Sequence, residues 1–191
     1  MKPRGRGTTL RVIRGSDNMR HEFRAYTDED MADVLALELH PIEIREGWAS
    51  TGVDPMELLA LSLSLSSPEN RWVVTLGDRI CGVFGLTLFE DGKMGVPWFV
   101  ANKIHIASHA DRGIFLRTSR EVVDLMTSRC EYMMNVVSLE NTKSLKWLRW
   151  LGFKYDPTQT FTFDRDPSLH FVLVRKDFGK GGEKEWQQPQ L

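Results

Sequence analysis

The sequence predicts an α+β fold, a single domain in which helices flank a mixed, mainly antiparallel central sheet. The predicted elements follow the order strand, two helices, three antiparallel strands, helix, strand, helix and final strands. That order is typical of one sheet built largely from hairpins, with helices packed on it. A chain of 191 residues, 41% of them hydrophobic, is long enough to bury a substantial core. The sequence contains no internal repeat.

The first third of the chain carries one strand and two helices. Residues 19–26 are a candidate strand. Thr27 begins a helix, because its hydroxyl can cap the terminus and three acidic residues follow in the first turn. This helix ends before Pro41. Asp54 and Pro55 begin a second helix, since proline is well tolerated in the first helical turn.

The middle and the end of the chain are rich in hairpin signals. Alternating apolar residues on either side of Gly77-Asp78 predict a hairpin, and Asp91-Gly92 predicts the next tight turn. Apolar periodicity predicts a long helix after these strands. The predicted strands are 72–76, 80–89, 96–101, 132–137, 160–163 and 171–175, and the long helix spans 111–128.

Composition excludes several classes of protein. No run approaches the roughly 18 apolar residues of a membrane span, and the charged N-terminus lacks the apolar segment of a secretion signal. Cys81 and Cys130 are expected to be reduced and buried, although a disulfide between them is possible. No Cys/His spacing indicates zinc. The formal net charge of −1 argues against DNA binding as the main task.

The two termini differ from the middle of the chain. Residues 1–18 are predicted to be a basic extended arm, and residues 177–191 a flexible tail rich in glycine and glutamine. The arm could contact nucleic acid weakly or lie on an acidic protein, and a simple solvated tail is the alternative. The residues predicted to contact partners are Arg4, Arg6, Arg11, Arg14 and Trp186.

The segment 141–153 predicts a complete helix with its start and stop signals. Asn141 can cap the N-terminus, and Gly152 stands where a helix needs a left-handed residue to end. Between them lies an apolar stripe formed by Leu145, Leu148 and Leu151 and widened by Trp147 and Trp150. Any capped amphipathic helix could show this pattern. The evidence for the fold is therefore its position as the last helix in the predicted order of elements.

With the strand 132–137 before it, this block resembles the last motif of the GNAT superfamily of N-acetyltransferases. Gly82 and Gly85 resemble a glycine-bearing strand of that family. The Gly-Val-Pro-Trp-Phe-Val-Ala strand at 95–101 and the Arg-Trp-Leu-Gly-Phe ending resemble one branch, the GNAT-like internal virion or core-associated proteins of short-tailed DNA phages. The resemblance implies a GNAT-like domain over 19–176.

Catalysis in that family implies three features, of which the first is a cradle for the coenzyme A pyrophosphate. The family pattern is Arg/Gln-x-x-Gly-x-Gly/Ala at the start of a helix, where backbone N–H groups bind phosphate. The corresponding segment 102–113 contains a single glycine. Lys103 and Arg112 could supply charge, and with Asn141 they are the candidate coenzyme-binding residues.

The second and third features are an acid for the leaving thiolate and a base for the amine. The family's tyrosine, seven residues after the asparagine, is replaced by Leu148, and Tyr155 is a possible substitute or a packed strand residue. His105 titrates near neutrality and is a candidate base, as is His109. Glu90 and Asp91 are expected at the surface. Asn141 carries over from the family, and a helix cap is a sufficient role for it. No metal is predicted.

The resemblance, together with the missing cradle and tyrosine, therefore implies a phage virion component built on a GNAT-like scaffold, expected to lack a cofactor and acetyl-CoA-dependent catalysis. Its expected partners are other virion proteins such as portal, core or tail components, in the particle and, during assembly, in the host cytoplasm. The alternative is an active N-acetyltransferase that uses acetyl-CoA to modify a host or phage amine.

Overall fold

The computed structural model describes residues 11–14, 20–102 and 109–178, which form eight strands in one sheet and five α-helices. The strands are β1 Arg11–Arg14, β2 Arg20–Ala25, β3 Arg71–Leu76, β4 Arg79–Phe89, β5 Met94–Ala101, β6 Tyr132–Ser138, β7 Phe161–Phe163 and β8 Asp166–Asp177. The helices are α1 Met31–Leu35, α2 Pro41–Thr51, α3 Pro55–Leu65, α4 His109–Thr127 and α5 Thr142–Trp150. Among the described residues, no helix is long and apolar enough to cross a membrane.

The sheet has the order β1-β2-β3-β4-β5-β6-β8-β7, and every neighbouring pair is antiparallel except β5 and β6. The parallel pairing of β5 with β6 is confined to Met94–Tyr132 and Gly95–Met133. Beyond these two pairs the strands separate. Pro97 lies in the separated part of β5 and has no N–H to donate. The side chain of Asn135 reaches toward it, with Nδ2 donating to the Pro97 carbonyl at 2.7 Å.

The two faces of the sheet are covered by different helices. One face packs against α4 and α5, through buried residues that include Val122, Met126 and Leu145. The other face packs against α1 and α3, where Val34, Leu59 and Leu63 belong to a second apolar cluster. A third cluster joins α2 to β7 and β8 around Ala49, Leu169 and Phe171. The predicted α+β architecture is therefore confirmed, with cores on both faces.

The predicted last helix and the signals at both its ends are confirmed, whereas Trp150 does not belong to the buried stripe. Asn141 Oδ1 accepts a hydrogen bond from the Ser144 N–H, and Gly152 has the left-handed φ of 91°. Leu145 and Leu151 are buried, whereas Trp150 is exposed and lies under the Arg120 guanidinium, 4.4 Å from the ring centroid. The local signals were sufficient here because each acts within a few residues of the backbone group it satisfies.

Three sequence predictions differ from the structure. Arg11–Arg14 form a strand paired with β2 instead of part of an arm without regular structure, because Val12 and Ile13 favour extended backbone and β2 offers an open edge. Strand β8 continues to Asp177, so the predicted tail cannot begin there. Helix α2 was not predicted at all, because its segment shows little apolar periodicity.

Candidate functional site

A cavity of about 270 Å³ occupies the opening between β5 and β6 and reaches residues on both faces of the sheet. On one side it is bounded by α2 and α3, and on the other by α4 and α5. Its volume is near the lower end of the range for small-molecule sites, about 300 Å³. Its lining includes two carboxylic acids on α2, Glu43 and Glu46. It also includes Asn135 on β6, Asn141 at the cap of α5 and Ser144 in α5.

Glu43 is a half-buried carboxyl group with an unusual protonation equilibrium. Burial raises the pKa of Glu43 to about 7, and the neighbouring Glu46 acts in the same direction. The backbone N–H of His40 donates to Glu43 Oε2 at 3.3 Å and opposes this shift. A carboxyl group that titrates near neutral pH can accept or release a proton under physiological conditions.

Glu46 connects α2 to the start of α5. Its Oε1 accepts the Ser138 N–H at 2.7 Å, and its Oε2 accepts Asn141 Nδ2 at 2.8 Å. Burial raises the pKa of Glu46 as well, while these two hydrogen bonds lower it. The Asn141 side chain therefore has two functions, since it caps α5 through Oδ1 and binds Glu46 through Nδ2.

Local sequence explains why α2 presents both acids to the cavity. Pro41 occupies the first turn, and Gly52 ends the helix with a left-handed φ of 75°. Residues three apart share one face of a helix, which places Glu43 and Glu46 together.

Arg45 fixes α2 to distant parts of the chain. Its Nε donates to Asp166 Oδ2 at 2.6 Å, its Nη1 to Glu140 Oε2 at 2.9 Å, and its Nη2 to Ser168 Oγ at 2.8 Å. The hydrogen bond from Arg45 lowers the pKa of Asp166 to about 2. These contacts hold the helix that carries the two acids against β8 and the loop before α5.

The opposite wall of the cavity is aromatic. Phe84, Phe99 and Trp147 line it, and Phe115 packs against them. The Phe84 and Phe99 ring centroids are 4.0 Å apart, and the Trp147 ring lies 5.4 Å from that of Phe99. Trp147 Nε1 donates to Ser119 Oγ at 3.1 Å, so its polar atom is satisfied. This wall offers apolar contact.

Of the predicted site residues, Asn141 lies at the cavity, as does Leu148, which stands in the place of the family's tyrosine. Tyr155 does not line it; this residue packs against the core, and its hydroxyl accepts a hydrogen bond from Arg149 Nη2 at 3.0 Å. Glu90 and Asp91 are exposed, as expected.

The remaining predictions stay predictions. Lys103, His105, Arg4, Arg6 and Trp186 lie outside the described residues. The backbone is described at four more positions, but their side chains are not: His109 and Arg112 in α4, and Arg11 and Arg14 in β1. Within the described part of the chain, no group of three or more His, Cys, Asp or Glu side chains could hold a metal ion.

Sequence reasoning missed Glu43 and Glu46, the two acids at the cavity. A signal was present, because proline after His40 and glycine at position 52 bracket a helix of 11 residues. If this helix had been recognised, the three-residue spacing of the acids would have placed them on one face. Nothing local indicated that this face is covered by a segment 95 residues away, at Asn141.

Solved structures with the same fold include several described as acetyltransferases. The GNAT domain of S. lividans PAT is 11% identical, with a TM-score of 0.61 over 93% of this chain and 100% of that one. A GCN5-related N-acetyltransferase from Kribbella flavida is 15% identical, with a TM-score of 0.60 over 83% and 98%. The Bacillus subtilis acetyltransferase in complex with CoA is 12% identical, with a TM-score of 0.53 over 84% and 99%.

No protein-family model matches the sequence, and neither does any curated protein. The chain has the GNAT fold, and the predicted fold class is thereby confirmed. At these identities the likeness establishes architecture, and activity has to be argued from the cavity.

Proposed function

We propose that the protein transfers an acyl group from an acyl-coenzyme A thioester to an amine in the cavity between β5 and β6. The observation that carries the proposal is Glu43, a carboxyl group with a pKa of about 7 that lines a cavity reaching both faces of the sheet. The two sides of such a cavity can receive two substrates from opposite directions. The GNAT fold supports this assignment by analogy.

The separated edge of β5 is suited to hold the coenzyme arm. Beyond Gly95, β5 no longer pairs with β6, so the backbone groups on this edge that are bonded neither to β4 nor to Asn135 can bind the amides of the arm. Ser144, Trp147 and Leu148 form the adjacent wall. When bound, the thioester carbonyl carbon would bond to the amine nitrogen as its carbon–sulfur bond breaks, the sulfur leaving as a thiolate and the amine proton passing to Glu43.

Glu43 is better suited than Glu46 to act as the base. Both oxygens of Glu46 accept hydrogen bonds, from Ser138 and Asn141, which stabilise its charged form and hold it in place. Among the described residues, Glu43 accepts its hydrogen bond at Oε2 only, from His40. A base with a pKa near the working pH is the most effective in proton transfer.

The leaving sulfur requires little assistance. Leu148 cannot donate a proton, but a thiol has a pKa of about 8.5, so its thiolate leaves readily without an acid. Ser144 lies one helical turn before Leu148 and also lines the cavity. Its hydroxyl can donate a hydrogen bond to a thiolate there.

A second candidate is a non-catalytic phage virion component on the same scaffold. The sequence resemblance to virion-associated GNAT-like proteins supports it, as does Leu148 in place of the family's tyrosine. Four large apolar side chains on α2 and α3 are exposed, a surface that a portal, core or tail protein could cover: Ile44, Trp48, Leu61 and Leu65. In this case the cavity would have no catalytic role.

Calorimetric titration of the full-length protein with acetyl-CoA, followed by an assay of thiol release with primary amines, tests the proposal. We expect binding at micromolar Kd and an acylation rate that rises with pH through about 7. Glu43→Gln should lower kcat/KM about 100-fold. Glu57→Gln, which removes an exposed acid from α3, should leave it unchanged.

Absence of binding at millimolar acetyl-CoA, together with absence of thiol release, would overturn the proposal. Detection of the protein at fixed copy number in purified phage particles would then support the second candidate.

A further inference from the structure

We infer that the amine is carried on an apolar stem, an alkyl or aryl chain that lies in the part of the cavity bounded by α2 and α3. The inference deepens the proposed acyl transfer and rests on it for the reaction, although the binding site can be tested separately. It follows from the chemistry of the walls on this side of the sheet.

The walls around the two acids are hydrophobic. They come from the segment between α1 and α2, from α3, from β5 and from β8, and they consist of Leu39, Leu58, Leu59, Trp98, Val100 and Phe171. Leu59 and Phe171 are almost fully buried, at 3% and 1% exposure. A polar stem placed against these apolar side chains would lose its hydration without finding a hydrogen-bond partner among them.

Beside the two acids, the serine and tryptophan side chains of this region already donate their hydrogens, so what they and the carboxylates offer a ligand is acceptors. Ser50 Oγ donates to the Glu46 carbonyl and Ser62 Oγ to the Leu58 carbonyl, each at 2.8 Å. Trp98 Nε1 donates to Ser66 Oγ at 3.0 Å. A ligand in this region must therefore supply donors, and an amine or ammonium group has two or three.

Charge narrows the class of amine further. Among the described residues that line the cavity there is no lysine, arginine or histidine. A ligand carboxylate would then face Glu43 and Glu46 with no described cation to compensate it. Amino acids and other amines with an anionic group are accordingly poor ligands. An apolar stem with one nitrogen at its end can make apolar contacts with the walls and donate hydrogen bonds to the acids.

Four probes of related structure separate these features in calorimetric titrations without acetyl-CoA. Hexylamine has the nitrogen and the apolar stem, hexan-1-ol lacks the nitrogen, 6-aminohexanoate adds a carboxylate, and ethanolamine replaces the apolar stem. We expect hexylamine to bind at least tenfold more tightly than each of the other three. Equal or tighter binding of 6-aminohexanoate or ethanolamine would overturn the inference.

Two matched variants of α3 locate the stem. Leu58→Asn places an amide in the wall and should weaken hexylamine binding at least fivefold, with ethanolamine unaffected. Leu61→Asn makes the same change at an exposed position of the same helix and should alter neither affinity. Unchanged hexylamine affinity in a folded Leu58→Asn protein would count against the site.

Adding acetyl-CoA separates this inference from the proposed function. If hexylamine binds but is not acylated, the amine site stands and the acyl transfer fails. If ethanolamine is acylated faster than hexylamine, the acyl transfer stands and the inference about the stem fails.

Discussion

The two walls of the cavity follow opposite physical rules. On the side of α4 and α5, aromatic rings pack in stacked and tilted pairs at 4.0 to 6.4 Å between centroids, and the indole N–H of Trp147 is hydrogen-bonded. On the side of α2 and α3, Glu43 and Glu46 are half-buried, and burial raises the pKa of each. Because burial disfavours the charged form of a carboxyl group, ionisation of these two groups lowers the stability of the folded state. The first wall increases stability, and the second retains a cost that is typical of functional sites.

The largest effect is expected from emptying the aromatic wall. Phe84 is 2% exposed and stacks on Phe99, so Phe84→Ala should lower the free energy of unfolding by about 3–5 kcal/mol. Urea denaturation measures this change. Leu61→Ala, at an exposed position of α3, is the matched control and should change stability by less than about 0.5 kcal/mol. A small effect of Phe84→Ala would mean that this wall contributes less to stability than its packing indicates.

A substitution at Glu46 tests whether the wall formed by α2 and α3 also contributes to the stability of the fold. In Glu46→Gln the side chain can accept one hydrogen bond but must place its NH₂ against another donor, either the Ser138 N–H or Asn141 Nδ2. One buried donor is then unsatisfied, and we expect a loss of about 2 kcal/mol in urea denaturation. Glu57→Gln should be neutral. Full stability of Glu46→Gln would show that these hydrogen bonds are replaced by water.

A tyrosine in place of Leu148 would add a proton donor to the wall that lacks one. We expect Leu148→Tyr to raise kcat about tenfold, below the 10²- to 10⁴-fold of a typical positioned acid, because a thiolate already leaves readily. Leu148→Phe matches the size without the hydroxyl and should give no gain. Equal rates for the two variants would show that thiolate protonation does not limit the reaction.

The smallest effect concerns the dependence of stability on pH. The folded pKa of Glu43 is about 7, above its ordinary value of 4.5, so the folded state binds the proton more tightly than the unfolded state. The stabilisation of the folded state by protonated Glu43 is fully present below about pH 4.5 and is lost as the pH rises to about 7. Glu43→Gln should therefore be more stable than wild type by about 1 kcal/mol at pH 8, since partial exposure moderates the effect.

At pH 4 the same two proteins should be equally stable in urea denaturation, because Glu43 is then protonated in both states. A stabilisation of equal size at pH 4 and pH 8 would indicate better packing of the glutamine. The raised pKa of Glu43 would then not account for the difference in stability.

The sequence by itself determined the elements whose signals are local. Asn141 and Gly152 predicted both ends of α5, and the hairpin turns and apolar periodicity predicted most strands and α4, because caps, turns and amphipathic faces act over a few residues. Only the tertiary structure decided that Glu43 and Glu46 form a site. Their raised pKa values arise from burial beneath segments that are distant in the chain, such as the one that holds Asn141, 95 residues from Glu46. Desolvation depends on neighbours in space that no local pattern specifies.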